Sequence, residues 1–359
     1  MGGHAGSRRG RSPAQGGMVM KISPGKLWGM RRLADDRGLW KMLAIDQRTP
    51  LFGPIAQARG TKDAAFDDVA RVKQMLAKHL APLSSAVLTD PFHGYARPIA
   101  EIPPHKGLIL SYEHHVTENT PGGRKSVPIP HWGAGAIRRI GGDAAKVLVW
   151  HRHDAAPEVR AHQEAFVRAA GEACRAHDVT HLLEVLVYPL PNEDPASFEA
   201  RRTELVIEAI RPFTAPEYGV DIFKLEPPGA IKGVPDPDGP QAAGQQAAYD
   251  RMAAMLPRPW VMLSAGAGMT DFVRSMRYAC RAGASGYLAG RAIWADAFTR
   301  FPDFDAMDAT LAGEARRNLE TLNELTDRAA TPWHAHPAFR GGVTPDIEEG
   351  RFPQGYGSG

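Results

Sequence analysis

The feature that most constrains the fold is a regular alternation of short apolar segments with longer amphipathic ones. Eight apolar runs recur along the chain, and each of them ends in polar residues or glycines. Runs this short are typical of buried strands, whereas apolar residues spaced three and four apart predict helices. The predicted strands lie at 41–45, 86–89, 107–111, 145–150, 181–188, 220–228, 260–263 and 285–289.

Repeated strand-then-helix units predict an α/β protein whose parallel strands form a closed (β/α)8 TIM barrel. The alternative is a doubly wound open sheet, which carries a Gly-x-Gly-x-x-Gly turn after its first strand. No such turn follows 41–45 here. We expect the barrel at 21–328, a disordered or vector-derived arm at 1–20, and an extended tail rich in Pro, Gly and His at 329–359.

Composition excludes several classes of partner. The net charge of +3 comes from Arg8, Arg9 and Arg11, since 43 − 3 = 40 basic residues then face 40 acidic ones, so no basic face predicts nucleic acid binding. Cys174 and Cys280 are too few for a disulfide framework or a Cys-rich zinc site. We expect a cytoplasmic protein, because there is no apolar run of membrane-spanning length and no apolar core of a secretory signal.

The sixth predicted strand carries a lysine inside an apolar run. Ile222, Phe223 and Leu225 flank Lys224. Burial disfavours the charged form of a lysine, and a neutral amine can attack a carbonyl to form a Schiff base. Taken alone, a lysine in such a run is more often one that reaches solvent past the strand end. Glu226 shares the side of Lys224 through the period of two, and we assign it only a structural acceptor role.

Three charged residues lie near the ends of three consecutive strands. Lys146, Glu184 and Lys224 belong to the fourth, fifth and sixth strands, each within apolar sequence. In a barrel the chemistry sits at the carboxyl ends of the strands, where these residues would be neighbours. Neighbouring ammonium groups lower each other's pKa. Burying three charges is costly, so the trio predicts a catalytic group, with a purely structural ion network as the alternative.

A second group of residues at strand ends predicts an anion site. Ser264 and Gly266 follow the seventh strand, and Gly290 and Arg291 follow the eighth. Glycines let backbone N–H groups approach an anion, and the helix that follows offers its positive end. Arg291 can add a charge-assisted pair. The pairing of these motifs favours a phosphate site over simple tight turns.

Five short segments, in order along most of the chain, carry a family resemblance. They read LAIDQR at 43–48, LLE at 182–184, DIFK at 221–224, LSAG at 263–266 and AGRAIWAD at 289–296. Together they resemble the class I tagatose-1,6-bisphosphate aldolase family, a branch of the metal-independent Schiff-base aldolases. The first and last segments are the most specific.

The resemblance implies roles for the residues that match its motifs. The Schiff-base lysine falls on Lys224, the acid/base glutamate on Glu184 and the second active-site lysine on Lys146. Asp46, Gln47 and Arg48 would bind substrate hydroxyls and the distal anionic group. The phosphate site falls on Leu263, Ser264, Gly266, Gly290 and Arg291.

The implied reaction is the cleavage of a ketose 1-phosphate, such as tagatose or fructose 1,6-bisphosphate. It would release dihydroxyacetone phosphate and an aldehyde such as glyceraldehyde 3-phosphate, with a covalent Schiff base and no metal or other cofactor. Glu184 would remove the proton of the C4 hydroxyl, while Lys146 orients Glu184 and keeps Lys224 neutral. The expected partner is a small phosphosugar, with no nucleic acid or membrane, and a homodimer remains open.

Several alternatives remain at this stage. Sulfosugar-phosphate aldolases share the trio, so the distal group of the substrate is phosphate, sulfonate or another group. The loop 114–130 is a departure from the family, because it is longer and more basic than the family suggests. His114, His115, His151 and His153 lie near strand ends and would suit a zinc-dependent lyase. A non-catalytic sugar-phosphate sensor on the same barrel is the third possibility. The intact trio argues against the sensor.

Overall fold

Eight parallel strands close into a barrel in the computed structural model, which describes residues 19–353 of the 359. Strand β8 pairs with β1 and so closes the ring. The TIM barrel prediction is therefore confirmed, and the open sheet is wrong. The strands are β1 Trp40–Ala44, β2 Ala86–Thr89, β3 Gly107–Ser111, β4 Ala144–Trp150, β5 Thr180–Leu186, β6 Ile222–Leu225, β7 Trp260–Met262 and β8 Gly286–Ala289.

Helices surround the barrel, although the strands are not followed by helices in a uniform way. They are α1 Pro24–Arg32, α2 Thr49–Arg59, α3 Phe66–Leu80, α4 Ala134–Arg139, α5 Pro157–Ala176, α6 Pro195–Ile210, α7 Ala242–Ala254, α8 Met269–Arg281, α9 Arg291–Phe298, α10 Phe304–Thr310 and α11 Arg316–Ala329. Strand β2 is followed only by the 3-10 turn Pro98–Glu101. Among residues 19–353, no helix combines the length and apolar character that crossing a bilayer requires.

The period of two along a strand decides which side chains enter the barrel. Ala144, Leu182 and Ile222 belong to the apolar cluster that fills the barrel interior. The residues two positions further along the same strands therefore also point inward, one layer closer to the carboxyl ends. Those residues are Lys146, Glu184 and Lys224. The packing of the apolar layer thus directs all three charged side chains into the mouth of the barrel.

The base of the barrel is covered by both ends of the described chain. The short strand Met20–Ile22 pairs in parallel with Val343–Pro345. Trp333 stacks on Trp40, with ring centroids 6.2 Å apart and 7° between the planes. The segment 330–345 is therefore not part of an extended tail, as we expected from 329 onward, because its large aromatic rings bury apolar surface against the barrel. The predicted arm at 1–20 lies almost wholly outside the described residues.

Candidate active site

The three charged residues predicted as catalytic meet at the mouth of the barrel. Lys224 Nζ lies 2.9 Å from Glu184 Oε2, and Lys146 Nζ lies 3.2 Å from the same oxygen. Glu184 and Lys224 are opposite each other in the β5–β6 register, which brings their side chains together. Lys146 is 2%, Glu184 6% and Lys224 4% exposed, so the cluster is almost shielded from water.

Lys146 is the most strongly held member of the cluster. Besides Glu184, its Nζ contacts Glu113 Oε1 at 2.9 Å and Asp46 Oδ2 at 3.0 Å. Burial disfavours the ammonium, but the three carboxylates outweigh burial and raise the pKa of Lys146 above its ordinary value. The expectation that neighbouring lysines lower each other's pKa therefore does not hold for Lys146, which is a fixed positive charge.

Asp46 completes the polar layer on the side of β1. Its carboxylate accepts a hydrogen bond from Ser111 Oγ at 3.4 Å and contacts Lys146. Burial opposes ionisation of Asp46, but the charges of Lys146 and Lys224 lower its pKa below the ordinary range. Asp46 is thus ionised and points into the site, where it can accept a hydrogen bond from a substrate hydroxyl.

The cluster also contains Glu113, a residue to which the sequence alone assigns no role. Its Oε1 accepts from Lys146 Nζ and from Arg48 Nη2, the latter at 3.4 Å, while its Oε2 accepts from the Leu148 N–H at 2.9 Å. Arg48 also donates to the Glu113 carbonyl at 3.3 Å. The only sequence signal for Glu113 is its position just after β3, which it shares with many strand-end acids.

The predicted anion site forms a cleft beside Lys224. The cleft has a volume of about 250 Å³. Of the predicted binding residues, it is lined by Gln47, Leu263, Ser264, Gly290 and Arg291, together with Glu184 and Lys224. Gly266 adjoins it, since a Cβ on Gly266 would lie 3.5 Å from the Arg291 guanidinium. Asp46 and Arg48 lie instead beside Lys146 and Glu113.

Backbone geometry explains why the cleft needs its glycines. Ala265 and Gly266 have φ of 50° and 81°, so two consecutive residues adopt the left-handed region and turn the chain sharply after β7. A Cβ on Gly290 would lie 2.3 Å from the Ala44 carbonyl oxygen. Helix α9 begins immediately afterwards, at Arg291, and presents its free N–H groups at the cleft.

Arg291 supplies a positive charge that no carboxylate of residues 19–353 neutralises in an ion pair. Its side chain is exposed, and no carboxylate within the described ranges forms an ion pair with it. A helix N-terminus beside such a guanidinium can bind a phosphate through both backbone and side-chain donors. The arrangement is therefore chemically suited to an anion next to the Lys224 amine.

Glu226 lies at the edge of this cleft as a structural acceptor. Its carboxylate accepts from the Val187 N–H at 2.6 Å and pairs with Arg202. Burial raises the pKa of Glu226, although Arg202 opposes that effect. With both oxygens engaged by the protein, Glu226 has the acceptor role that the sequence suggested.

The histidines of the zinc alternative do not form one group, although the rings of His114 and His115 contact each other with centroids 4.5 Å apart. His151 is buried against Phe213, with ring centroids 5.0 Å apart, whereas His114 and His115 lie beyond β3. Over residues 19–353 no three His, Cys, Asp or Glu side chains are grouped so that they could hold a metal ion. That part of the chain therefore contains no set of ligands for the zinc ion of this alternative.

Comparison with known proteins agrees with this geometry. The family model described as DeoC/LacD family aldolase matches residues 41–296. The chain is 34% identical over 325 residues to a tagatose 1,6-diphosphate aldolase of Listeria monocytogenes, which covers 88% of this chain and 95% of that protein. It is 30% identical over 325 residues to tagatose 1,6-diphosphate aldolase 1 of Streptococcus mutans, covering 88% and 99%.

Solved structures show the same fold at low sequence identity. The fructose-bisphosphate aldolase of Plasmodium falciparum has a TM-score of 0.61 at 12% identity and covers 87% of this chain and 98% of that one. An archaeal fructose 1,6-bisphosphate aldolase has a TM-score of 0.53 at 17% identity, covering 84% and 98%. Barrel, site and relatives together define an aldolase, which is a lyase. The chain belongs to the DeoC/LacD family of aldolases.

Proposed function

We propose that this protein is a class I aldolase that cleaves a ketose 1,6-bisphosphate through a Schiff base on Lys224. The observation that carries the proposal is the contact of Lys224 Nζ with Glu184 Oε2 at 2.9 Å, beside a cleft suited to phosphate. The names of the relatives indicate tagatose 1,6-bisphosphate as the first substrate to test. The products would be dihydroxyacetone phosphate and glyceraldehyde 3-phosphate.

The first half of the reaction forms the imine. Glu184 is within reach to take a proton from Lys224, whose free amine then attacks the C2 carbonyl. Glu184 returns the proton to the C2 oxygen of the carbinolamine, which leaves as water and gives the iminium. The C1 phosphate would rest on Ser264, Gly290 and the start of α9, which fixes C2 against the amine.

The second half breaks the C3–C4 bond. Glu184 removes the proton of the C4 hydroxyl, the aldehyde forms at C4, and the bonding electrons move into the iminium to give an enamine. Protonation at C3 and hydrolysis of the imine release dihydroxyacetone phosphate and restore Lys224. The fixed charge of Lys146 keeps Glu184 in place. The imine is the electron sink, so the reaction as proposed uses no metal or other cofactor.

Borohydride trapping tests the nucleophile directly. The enzyme is reduced in the presence of dihydroxyacetone phosphate, and peptide mass mapping locates the adduct. We expect the adduct on Lys224, loss of both adduct and cleavage in Lys224→Met, and full activity in a matched variant of the exposed Lys232, Lys232→Met. An adduct on Lys146, or no adduct despite cleavage, would overturn the assignment.

Two further measurements separate the competing functions. Cleavage that persists in EDTA supports the Schiff-base route over the zinc lyase, whereas EDTA-sensitive cleavage without trapping supports the lyase. Absence of any cleavage, with sugar phosphate binding retained, would identify a sensor. Rates with tagatose and fructose 1,6-bisphosphate then report the preferred configuration at C4.

A further inference from the structure

A cavity at the base of the barrel has no part in the proposed reaction. Its volume is about 450 Å³. Asp221 comes directly before β6 and Arg258 shortly before β7, so the cavity lies at the amino ends of these strands, opposite the catalytic cluster. We call it the basal cavity and define it by the residues that the argument uses, which are Lys21, Lys26, Arg175, Phe213, Asp221 and Arg258.

The charged lining of the basal cavity is basic. Lys21, Lys26, Arg175 and Arg258 line it, and Asp221 is the one acidic residue among its lining residues, so the lining carries a net charge of 4 − 1 = +3. Apart from the three arginines near the N-terminus, the whole chain has equal numbers of basic and acidic residues. The excess of positive charge is therefore specific to this cavity, and such a cavity attracts anions.

Carboxylates reach the two lysines but to different degrees. Lys26 is 5% exposed, and its Nζ donates to Asp221 Oδ2 at 2.8 Å, an oxygen that also accepts from the His181 N–H. An ammonium has three donors, so Lys26 keeps donors beyond the one that Asp221 receives. Lys21 lies 3.5 Å from Asp346, and both side chains are 61% exposed, so solvent weakens this pair.

The two arginines of the basal cavity have no carboxylate partner within residues 19–353. Arg258 is half-buried, and its Nη1 donates to the Pro257 carbonyl at 3.0 Å. Arg175 donates only at long range, to the Glu217 carbonyl oxygen at 3.4 and 3.5 Å. Each guanidinium has five N–H donors, and most of them remain for a ligand.

Other arginines on the same side of the molecule are neutralised. Those of α5, α6 and α7 form close ion pairs with carboxylates, as seen in Arg168–Glu217 at 2.7 Å, Arg211–Glu208 at 2.6 Å and Arg251–Glu204 at 2.7 Å. The two arginines without such a partner are the two that line the cavity. The missing countercharge is therefore a feature of the cavity and not of this side of the surface.

The walls of the basal cavity hold one guanidinium in place and add apolar surface. Gly219 has a φ of 60°, and a Cβ at this position would lie 2.4 Å from Arg175 Nη1, so the loop before β6 admits the guanidinium only because it has a glycine there. Ile22, Phe213 and Val220 also line the cavity. Apolar walls with a few charged groups are typical of small-molecule sites.

We propose that the basal cavity binds a phosphorylated small molecule, with Arg175, Arg258 and Lys26 holding its phosphate groups. Guanidinium groups match phosphate oxygens in pairs, and the ammonium adds a point charge. The volume lies within the range of about 300–1,000 Å³ for small-molecule sites. A free polyphosphate and a nucleoside diphosphate share this chemistry. The inference does not depend on the proposed function, because the cavity is remote from Lys224.

Calorimetric titration with pyrophosphate and with ADP, both in EDTA, tests the proposal. The full chain carries Arg291→Ala, which weakens the cleft beside Lys224, and is compared with the same chain carrying also Arg175→Gln or Arg258→Gln. We expect Kd to rise about tenfold with each added change, equivalent to about 1.4 kcal/mol. Tighter binding of ADP would show that the cavity takes an organic body, and equal or tighter binding of pyrophosphate that it recognises the polyphosphate alone.

Arg251→Gln is the matched control, because Arg251 is exposed and lies outside the cavity; its Kd should not change. Arg175→Lys and Arg258→Lys keep the charge and replace the Gln variants if those fail to fold, and for them we expect a smaller rise in Kd. Absence of binding to the Arg291→Ala chain, or binding that is the same with and without the changes at Arg175 and Arg258, would overturn the inference. Failure to cleave a ketose bisphosphate would count against the proposed function alone.

Discussion

Glu184 Oε2 lies 2.9 Å from Lys224 Nζ and 3.2 Å from Lys146 Nζ, so one carboxylate oxygen is shared by two lysines. The two lysines differ in their surroundings. Lys146 contacts two further carboxylates, whereas Glu184 is the carboxylate that Lys224 contacts within the described part of the chain. Lys146 is therefore held by three carboxylates, whereas Lys224 has a single carboxylate partner that an arriving substrate can displace.

Glu184→Gln should separate proton transfer from positioning. Glutamine keeps the size and a hydrogen bond but cannot take up the proton from Lys224 or from the C4 hydroxyl. We expect kcat to fall about 10²- to 10⁴-fold, the range for a general acid–base group, with little change in KM. Steady-state kinetics check this, and the same change at the exposed Glu172 should have no effect. A kcat within tenfold of the wild type would contradict the role of Glu184.

Lys146→Met should destabilise the protein in a pH-dependent way. The change leaves Asp46, Glu113 and Glu184 facing one another without their shared cation. Removing one partner of a buried ion pair costs about 3–5 kcal/mol. Without Lys146, Asp46 loses a cation that lowers its pKa, so protonation of Asp46 offsets part of the loss as the pH falls.

Urea denaturation of Lys146→Met and wild type at pH 7.5 and 5.5 measures the effect. The difference in the free energy of unfolding between the two proteins should be smaller at pH 5.5. A difference that is independent of pH would mean that repulsion among these carboxylates is not the cause.

Gly290→Ala should impair phosphate binding. The new Cβ would lie 2.3 Å from the Ala44 carbonyl oxygen and 2.9 Å from Gln47 Nε2, so the start of α9 must shift. We expect KM for a ketose 1-phosphate to rise at least tenfold, since small displacements in a preorganised site are costly. Gly268→Ala is the control, because a Cβ on Gly268 meets nothing within 4 Å. Equal KM values for the two variants would exclude the predicted contact.

His181 should make stability fall on acidification. Burial, followed by the charge of Lys26, lowers the pKa of His181 to about 4, whereas an unfolded histidine titrates near 6.5. Between about pH 4 and pH 6.5 the unfolded chain therefore binds one more proton than the folded chain. The contribution of neutral His181 is fully present above about pH 6.5 and is lost progressively as the pH falls toward 4.

Denaturation at several pH values gives the slope of unfolding free energy against pH. In His181→Gln that slope should be smaller by about 1.4 kcal/mol per pH unit between pH 6 and 4.5. His105→Gln, at an exposed position, should leave the slope unchanged. An unaltered slope in His181→Gln would show that this histidine titrates alike in the folded and unfolded chain.

The barrel could be predicted because its strands are buried on both faces. The run around Lys224 is buried throughout β6, and such runs stand out against polar flanking sequence. Helix α2 could not be predicted from the sequence, because Pro50 and Pro54 resemble helix breakers. The apolar spacing over 61–80 predicts one helix with Thr61 as its cap. Gly60 instead ends α2 in the left-handed conformation, and α3 begins only at Phe66.

The catalytic trio could be predicted from position along consecutive strands, whereas its further partners could not. Glu113 reaches Lys146 because Ser111 lies opposite Lys146 in the β3–β4 register. The register between two strands cannot be predicted from the sequence of either strand alone. The buried pair of Lys73 and Asp90 is a similar case. Lys73 lies on an amphipathic helix, where the sequence gives no sign that this lysine faces inward.

The parallel pairing of Met20–Ile22 with Val343–Pro345 has a practical consequence for handling the enzyme. Both segments lie beneath the barrel, beside Trp333 and Trp40, while Lys224 opens at the other end. A tether attached through either of these segments would leave the substrate entrance turned away from the support. An immobilised catalyst made in this way should keep the kcat/KM of the free enzyme.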